Sequence, residues 1–206
     1  MSDPRPIVLD LFSGTGSATQ PFVECGRHRV IRIDIAGKPD IRADVRHLPL
    51  GDAPLQFIWA SPPCQGFSVA GIPHHWKGYR PDATAKMAIV LEQAAFRFIA
   101  SHPEAKYLVE NPSGLMRKYA LGYTEQVFYC SYGATFKKPT DLWHNLPVRF
   151  ALPCAPHTPS SRGSHDPYSS QGMRDPAKRA MIPRRLPEAV HRAVCDFAPA
   201  RDREGK

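Results

Sequence analysis

The stretch Ile7-Val8-Leu9-Asp10-Leu11-Phe12-Ser13-Gly14-Thr15-Gly16 decides the reading of the fold. A short apolar run, broken by one acid, passes directly into a glycine turn. Near-continuous apolarity of this kind marks a strand covered on both faces, as in a parallel sheet. The chain beyond keeps alternating. Ala18 to Cys25 is helical in character and stops at Gly26, a natural C-terminal glycine. Arg29 to Ile33 alternates basic and apolar residues and closes on Asp34, and Asp40 to Asp44 suits an edge strand. Leu55 to Ala60 is a second apolar run, ended by Ser61-Pro62-Pro63-Cys64. Met87, Val90, Leu91, Ala94, Ala95 and Phe98 fall on one stripe of a helix over 85–100. Lys106 to Val109 is a strand ended by Glu110-Asn111-Pro112, and Gln126 to Ser131 and Asp141 to Phe150 supply the last strands. Strands alternating with helices predict an α/β fold, its sheet mostly parallel and its helices on both faces.

The chain has 206 residues, which suits one domain with an appendage. With 42% hydrophobic and 22% charged residues, wholesale disorder is excluded. No apolar run is long enough for a spanning helix, and Met1 to Pro6 show no signal-peptide core, so a cytoplasmic protein is expected, in a bacterium or a phage-infected host. The net charge of +8 favours nucleic acid as partner over mere solubility. The composition shifts near residue 151, dividing residues 1–150 from a basic segment over 151–206 that holds eight prolines. Within it, Pro153 to Arg174 reads as an irregular loop. Ile182 to Phe197 reads as an amphipathic helix docked through Leu186, Val190 and Val194, and Pro199 to Lys206 as a frayed end. The five cysteines are widely spaced with no C-x-x-C, so neither a disulfide framework nor a structural metal site is expected; Cys154 and His157 are a close pair without a second.

Open parallel α/β sheets bind ligands at the carboxyl ends of their strands. Four such ends here carry chemistry. The turn Phe12-x-Gly14-x-Gly16 lets backbone approach a ligand closely, although it lacks the third glycine of a dinucleotide fingerprint. Asp34 can accept both hydroxyls of a ribose. Asp44 can accept from an adenine amino group, or be a solvated turn acid. Pro62 and Pro63 fix the backbone direction and present Cys64 rigidly, as a nucleophile requires. If the strands ending at Ala60 and Val109 are neighbours, Cys64 and Glu110 face one cleft, a thiolate beside a proton donor. Residues Gly66 to Asp82 interleave His74, His75, Trp76, Lys77, Tyr79 and Arg80, the composition of a lid over phosphates and an unstacked base, or of an ordinary surface loop.

Asp10-Leu11-Phe12-Ser13-Gly14-Thr15-Gly16, Ser61-Pro62-Pro63-Cys64-Gln65-Gly66-Phe67-Ser68 and Glu110-Asn111-Pro112 resemble, in order and spacing, three motifs of the cytosine-C5 DNA methyltransferases. The resemblance covers roughly residues 7–150. It implies a Rossmann-like class I fold with S-adenosylmethionine as methyl donor and cytosine in DNA, flipped out of the stack, as acceptor. It places Phe12, Ser13, Gly14, Thr15, Gly16, Asp34, Ile35, Asp44, Val45 and Pro62 around the cofactor. Cys64 becomes the thiolate that adds to C6, and Glu110 the group at N3. Pro63, Gln65, Ser68, Asn111, Lys137 and Lys138 fall to the substrate. Three features depart from the family. Gln126-Val127-Phe128-Tyr129-Cys130 lacks the arginines of the Q-x-R-x-R signature, with Lys137 or Lys138 as substitutes. The 56 residues after Phe150 leave no room for a large target-recognition domain, so recognition falls to the basic segment, to a partner protein, or is relaxed. The Gly-Asn turn before the last helix is missing. The departures suggest a minimal member. RNA cytosine methylation by the same chemistry, methylation at N4, and a catalytically degenerate nucleic-acid binder stand as alternatives.

Overall fold

A computed structural model describes residues 3–49, 54–122, 124–153 and 180–196. The irregular loop and the frayed end expected from the sequence, and the Cys154–His157 pair, lie outside the described residues. The main sheet is built from β1 (Ile7–Leu11), β2 (Arg29–Asp34), β3 (Ile41–Arg42), β4 (Leu55–Ala60), β7 (Lys106–Pro112), β8 (Thr124–Phe128) and β9 (Pro139–His144). A hairpin of β5 (Trp76–Lys77) and β6 (Arg80–Pro81) stands apart from it. The helices are α1 (Gln20–Cys25), α2 (Ile72–His75), α3 (Ala83–Ala100) and α4 (Arg185–Asp196). The sheet runs β3-β2-β1-β4-β7-β9-β8. From β3 through β7 every pairing is parallel, and β9 is antiparallel to both its neighbours.

The alternation of side chains along each strand builds two separate cores. Val8, Phe57, Trp59 and Leu108 point to one face, where Phe22 of α1 and Leu186, Val190 and Val194 of α4 cover them. Leu9, Leu11, Ile58 and Val109 point to the other, against Ala88, Ala95 and Phe98 of α3. The sheet is therefore apolar on both sides, which is why β1 and β4 read as continuous runs.

Three expectations are corrected. On α3 the buried face holds Ala85, Ala88, Glu92, Ala94, Ala95, Phe98 and Ile99, so Ala94, Ala95 and Phe98 of the expected stripe are buried and Leu91 is half-buried, while Met87 and Val90 are exposed. In the first half of the helix the small residues Ala85 and Ala88 approach the sheet in their place, so the expectation fails only there. Glu110, Asn111 and Pro112 do not end β7 but extend it, because β9 pairs with all three (Glu110↔Leu142, Asn111↔Asp141, Pro112↔Thr140). The last two strands are shorter than expected: Tyr129–Tyr132 folds into a 3-10 turn closed by Gly133, and β9 stops at His144. No helix among the described residues is long and apolar enough to cross a membrane.

Candidate active site

The strand order reverses between β1 and β4: the chain proceeds from β1 outward to β2 and β3, then crosses back to β4 and β7. A crevice opens beyond the carboxyl ends of the strands at such a point. Here it is a cleft of about 790 Å³. The β1–α1 turn forms one wall, with Phe12, Ser13, Gly14 and Thr15, and the Pro62-Pro63-Cys64-Gln65 segment after β4 forms the other. The turn is tight. Gly14 and Gly16 lie in the left-handed region (φ 48 and 73), and Phe12 does so as well at φ 59, a conformation that strains a side-chain-bearing residue and collects at binding sites. Asp10, fully buried on the cleft wall, accepts a hydrogen bond from the Thr19 hydroxyl at 2.7 Å. Burial pushes its carboxyl up to about 7.

Asp34 ends β2 and holds the turn in place. One carboxylate oxygen accepts the Gly14 N–H and the other the Ala36 N–H, both at 2.9 Å. Ile35 next to it is 65% exposed, an isoleucine left open at a strand end. Asp44 caps a 3-10 turn by accepting the Arg46 N–H, and the Arg46 guanidinium beside it holds its carboxyl down at about 2. Val45 is buried in the core. Of the residues expected around a cofactor, Phe12, Ser13, Gly14, Thr15 and Pro62 line the cleft. Gly16, Asp34, Ile35, Asp44 and Val45 are not among its lining residues.

β4 and β7 are neighbours, with Ala60 level with Val109, so Cys64 and Glu110 both reach the cleft. The segment after β4 is held from two sides. The Pro62 carbonyl accepts from the Asn111 side-chain amide at 2.8 Å, and the Cys64 carbonyl accepts from the N–H groups of Phe67 and Ser68 at 3.0 and 2.8 Å. Cys64 is half-buried on the wall; Glu110 is only 5% exposed. The Tyr129 hydroxyl donates to Glu110 Oε1 at 2.9 Å. Burial and the charge of Glu110 keep that hydroxyl protonated well above its ordinary range. Lys138 Nζ sits 4.5 Å above the Tyr129 ring and Lys137 Nζ 4.9 Å above Phe128, and both lysines line the cleft. Gln65 and Ser68 line it too, with Pro63. Asn111 does not: it is fully buried, and its amide is spent on Pro62. This corrects its expected place at the substrate.

The segment over 66–82 is an ordered structure rather than an open loop. Trp76 Nε1 donates to the Gly66 carbonyl at 2.6 Å, and His75, on the cleft wall, bonds Asp82 at 2.9 Å. Gly78 and Tyr79, both with positive φ, turn the hairpin between β5 and β6, leaving Tyr79 91% exposed at its tip. Gly71 and Gly114 have no room for a side chain: a Cβ on either would fall within 2.0 Å of a carbonyl oxygen, of Gln65 and Phe67 respectively. On the opposite flank, Ile182 donates its N–H to Ser17 Oγ at 3.3 Å, and Ala180 and Ile182 complete the wall.

Sequence reasoning missed Tyr129, placed there only as part of a strand, and the network around Asp141. Arg117 grips the buried Asp141 carboxylate, Ser113 donates to the same group at 2.8 Å, and Gln126 donates to Ser113 at 2.8 Å. Arg117, from the turn after β7, is thus engaged by Asp141 on β9 and does not line the cleft. The signal was weak, because Arg117 lies in a different element from Gln126.

The site is thus a cleft at the switch point of an α/β sheet, with a glycine turn on one side and the Cys64 thiol and the buried Glu110 carboxyl on the other. No protein-family model matches the chain. It is 29% identical over 160 residues to a protein named "Probable DNA (cytosine-5)-methyltransferase" from Frog virus 3 (isolate Goorha), the alignment covering 72% of this chain and 74% of the relative. The two chains are thus closely matched in length, and the likeness supports the resemblance carried by the motifs.

Proposed function

We propose that the chain is a minimal, Rossmann-like DNA methyltransferase that transfers a methyl group from S-adenosylmethionine to C5 of cytosine. The observation that carries this reading is the meeting of Cys64 and Glu110 in one cleft, with Asn111 joining their strands through Pro62. The residues present fit the donor. Gly14, without a side chain, opens backbone to the cleft, the volume suits a nucleoside-sized ligand, and Ile35 and the Asp34 carboxylate stand at the next strand end. Phe12 to Gly16, Asp34, Ile35, Asp44, Val45 and Pro62 would hold it. S-adenosylmethionine supplies an electrophilic methyl group.

The acceptor carbon is a poor nucleophile until the ring is activated. The Cys64 thiolate forms a bond to C6, and the ring electrons collect at C5. Glu110, fixed by the Tyr129 hydroxyl, keeps a proton at N3 so that this charge is tolerated. Once C5 carries the methyl group, water in the cleft takes its proton, the C–H electrons form the C5–C6 double bond, the S–C6 electrons return to sulfur as thiolate, and the aromatic ring is restored. Lys137 and Lys138 supply positive charge at the cleft, as point charges rather than a planar fork. A duplex substrate must release its base from the stack. The protein acts in the cytoplasm, on DNA.

DNA bearing 5-fluorocytosine tests the whole reading, because fluorine cannot leave as a cation and the adduct is trapped. Incubation with the donor is expected to give a covalent complex mapping to Cys64, and Cys64→Ala to abolish both adduct and transfer. Persistent transfer by the alanine variant would contradict the covalent route. Preferential labelling of tRNA over duplex DNA would move the substrate to RNA, and product at N4 would exclude C5 chemistry.

A further inference from the structure

The end of the molecule opposite the cleft holds a second cluster of reactive side chains. α1 ends at Cys25, Gly26 turns the chain in the left-handed region at φ 67, and His28 precedes the first residue of β2. The short reversal sets Cys25 Sγ 3.3 Å from His28 Nδ1. α4 delivers a second pair: His191 and Cys195 are one helical turn apart, with Sγ 3.4 Å from Nε2. The pairs meet across the α1–α4 contact. The His28 and His191 ring centroids are 5.8 Å apart, and one ligand atom from each of Cys25, His28 and His191 lies within 4.8 Å of the others. Zinc–ligand bonds of about 2.0–2.3 Å in a tetrahedron separate donors by about 3.3–3.8 Å. Cys195, whose Sγ is 3.4 Å from His191 Nε2, stands beside this trio as the candidate fourth donor.

The surroundings suit a closed site. Phe22 packs edge-on against both imidazoles, with centroids 5.3 Å from the buried His28 and 4.9 Å from the partly buried His191. Burial pulls the His28 ring down to about 4 and so keeps it neutral; beside it lies Gln56, whose buried side-chain oxygen meets no donor at hydrogen-bond geometry. A carbonyl oxygen in that place is the usual orienting partner of a metal-bound histidine. Cys25 Sγ also contacts the Phe22 carbonyl at 3.2 Å, and Arg27 reaches Cys195 Sγ at 3.5 Å. The guanidinium favours a thiolate and opposes a dication, but two thiolates and two neutral imidazoles cancel the charge of the metal itself.

We propose that Cys25, His28, His191 and Cys195 form a structural zinc site, with ligand pattern C-x2-H and H-x3-C. Binding releases the two thiol protons, and four protein donors leave no open position for chemistry. The metal's task is mechanical. It clamps α4 to the α1–β2 turn, and α4 follows directly on Ala180 and Ile182, which close one wall of the cleft. The sequence concealed the site because its two halves sit near opposite ends of the chain. It stands independently of the methyltransferase reading.

The full chain, expressed in zinc-supplemented medium and purified under reducing conditions, is expected to carry about one zinc per molecule by elemental mass spectrometry. Replacement by Co²⁺ should give the visible absorption of tetrahedral cobalt and a thiolate charge-transfer band. Cys25→Ser and His191→Asn should bring the metal content to near zero, while Cys64→Ser and Cys154→Ser retain it. Because substitutions in a packed region also cost stability for other reasons, the wild-type chain gives the second measurement. Chelator treatment should lower its Tm by about 5 °C or more, with recovery on adding zinc but not magnesium. Substoichiometric zinc with a Tm indifferent to chelator, loss of metal in Cys154→Ser, or a Cys25–Cys195 disulfide in the purified chain would each overturn the site.

Discussion

Glu92 shows how a single residue can set a pH dependence. It lies on the buried face of α3, one of its oxygens has no hydrogen-bond partner, and burial raises its carboxyl to about 7. The unfolded chain releases this proton near pH 4.5, whereas the folded chain keeps it until about 7. Stability from this group is therefore full below pH 4.5 and is lost as the pH rises toward 7. Glu92→Gln removes the penalty and keeps the shape. It is expected to be more stable than wild type at pH 8 by about 1–3 kcal/mol in urea unfolding, with the difference vanishing at pH 4. A difference independent of pH would show that Glu92 ionises freely in the fold. The residue was invisible to periodicity, since an acid within a helical stripe reads as its solvent face.

At the scale of elements, the site depends on β4 and β7 lying side by side. Asn111 belongs to β7 and Pro62 to the segment leaving β4, and their 2.8 Å hydrogen bond fixes the approach of the thiol to the carboxyl. Asn111→Ala leaves a buried carbonyl unsatisfied, at a cost of about 1–3 kcal/mol. It is expected to lower kcat at least tenfold while the affinity for S-adenosylmethionine changes less than threefold, read by single-turnover transfer and by calorimetry. An unchanged kcat would remove Asn111 from the positioning of Cys64. The strand runs of β1 and β4 were legible because a strand buried on both faces has no polar alternation to obscure it. The contribution of Asn111 was not, because it exists only once two strands distant in sequence are paired. Asp44 shows the opposite limit: it bonds locally, to the Arg46 backbone and guanidinium, and a spacing argument cannot see the bonds that a turn acid makes within its own turn. Tyr129 escaped because the strand expected through Ser131 breaks at Phe128, and the break swings the ring under Glu110.

Over the whole molecule, the question is which of its basic residues would hold a nucleic acid. The net charge is +8, and two pairs of cations sit where a backbone could pass. Lys77 and Arg80 are exposed on the β5–β6 hairpin, and Lys137 and Lys138 line the cleft. If three to four phosphates are neutralised by this set, each contributes a slope of about −0.9 in log affinity against log salt. Binding to a short duplex is then expected to weaken about 40–150-fold between 50 and 200 mM salt. Replacing Lys77 and Arg80 together by Ala should reduce the slope by about 2, with the fold and the Cys64–Glu110 pair intact. Fluorescence anisotropy across a salt series gives both numbers. A slope near zero in the wild-type chain would mean that its positive charge serves solubility alone. A steep slope unmoved by the double variant would place the phosphate contacts elsewhere, away from the hairpin and in the basic residues beyond Phe150.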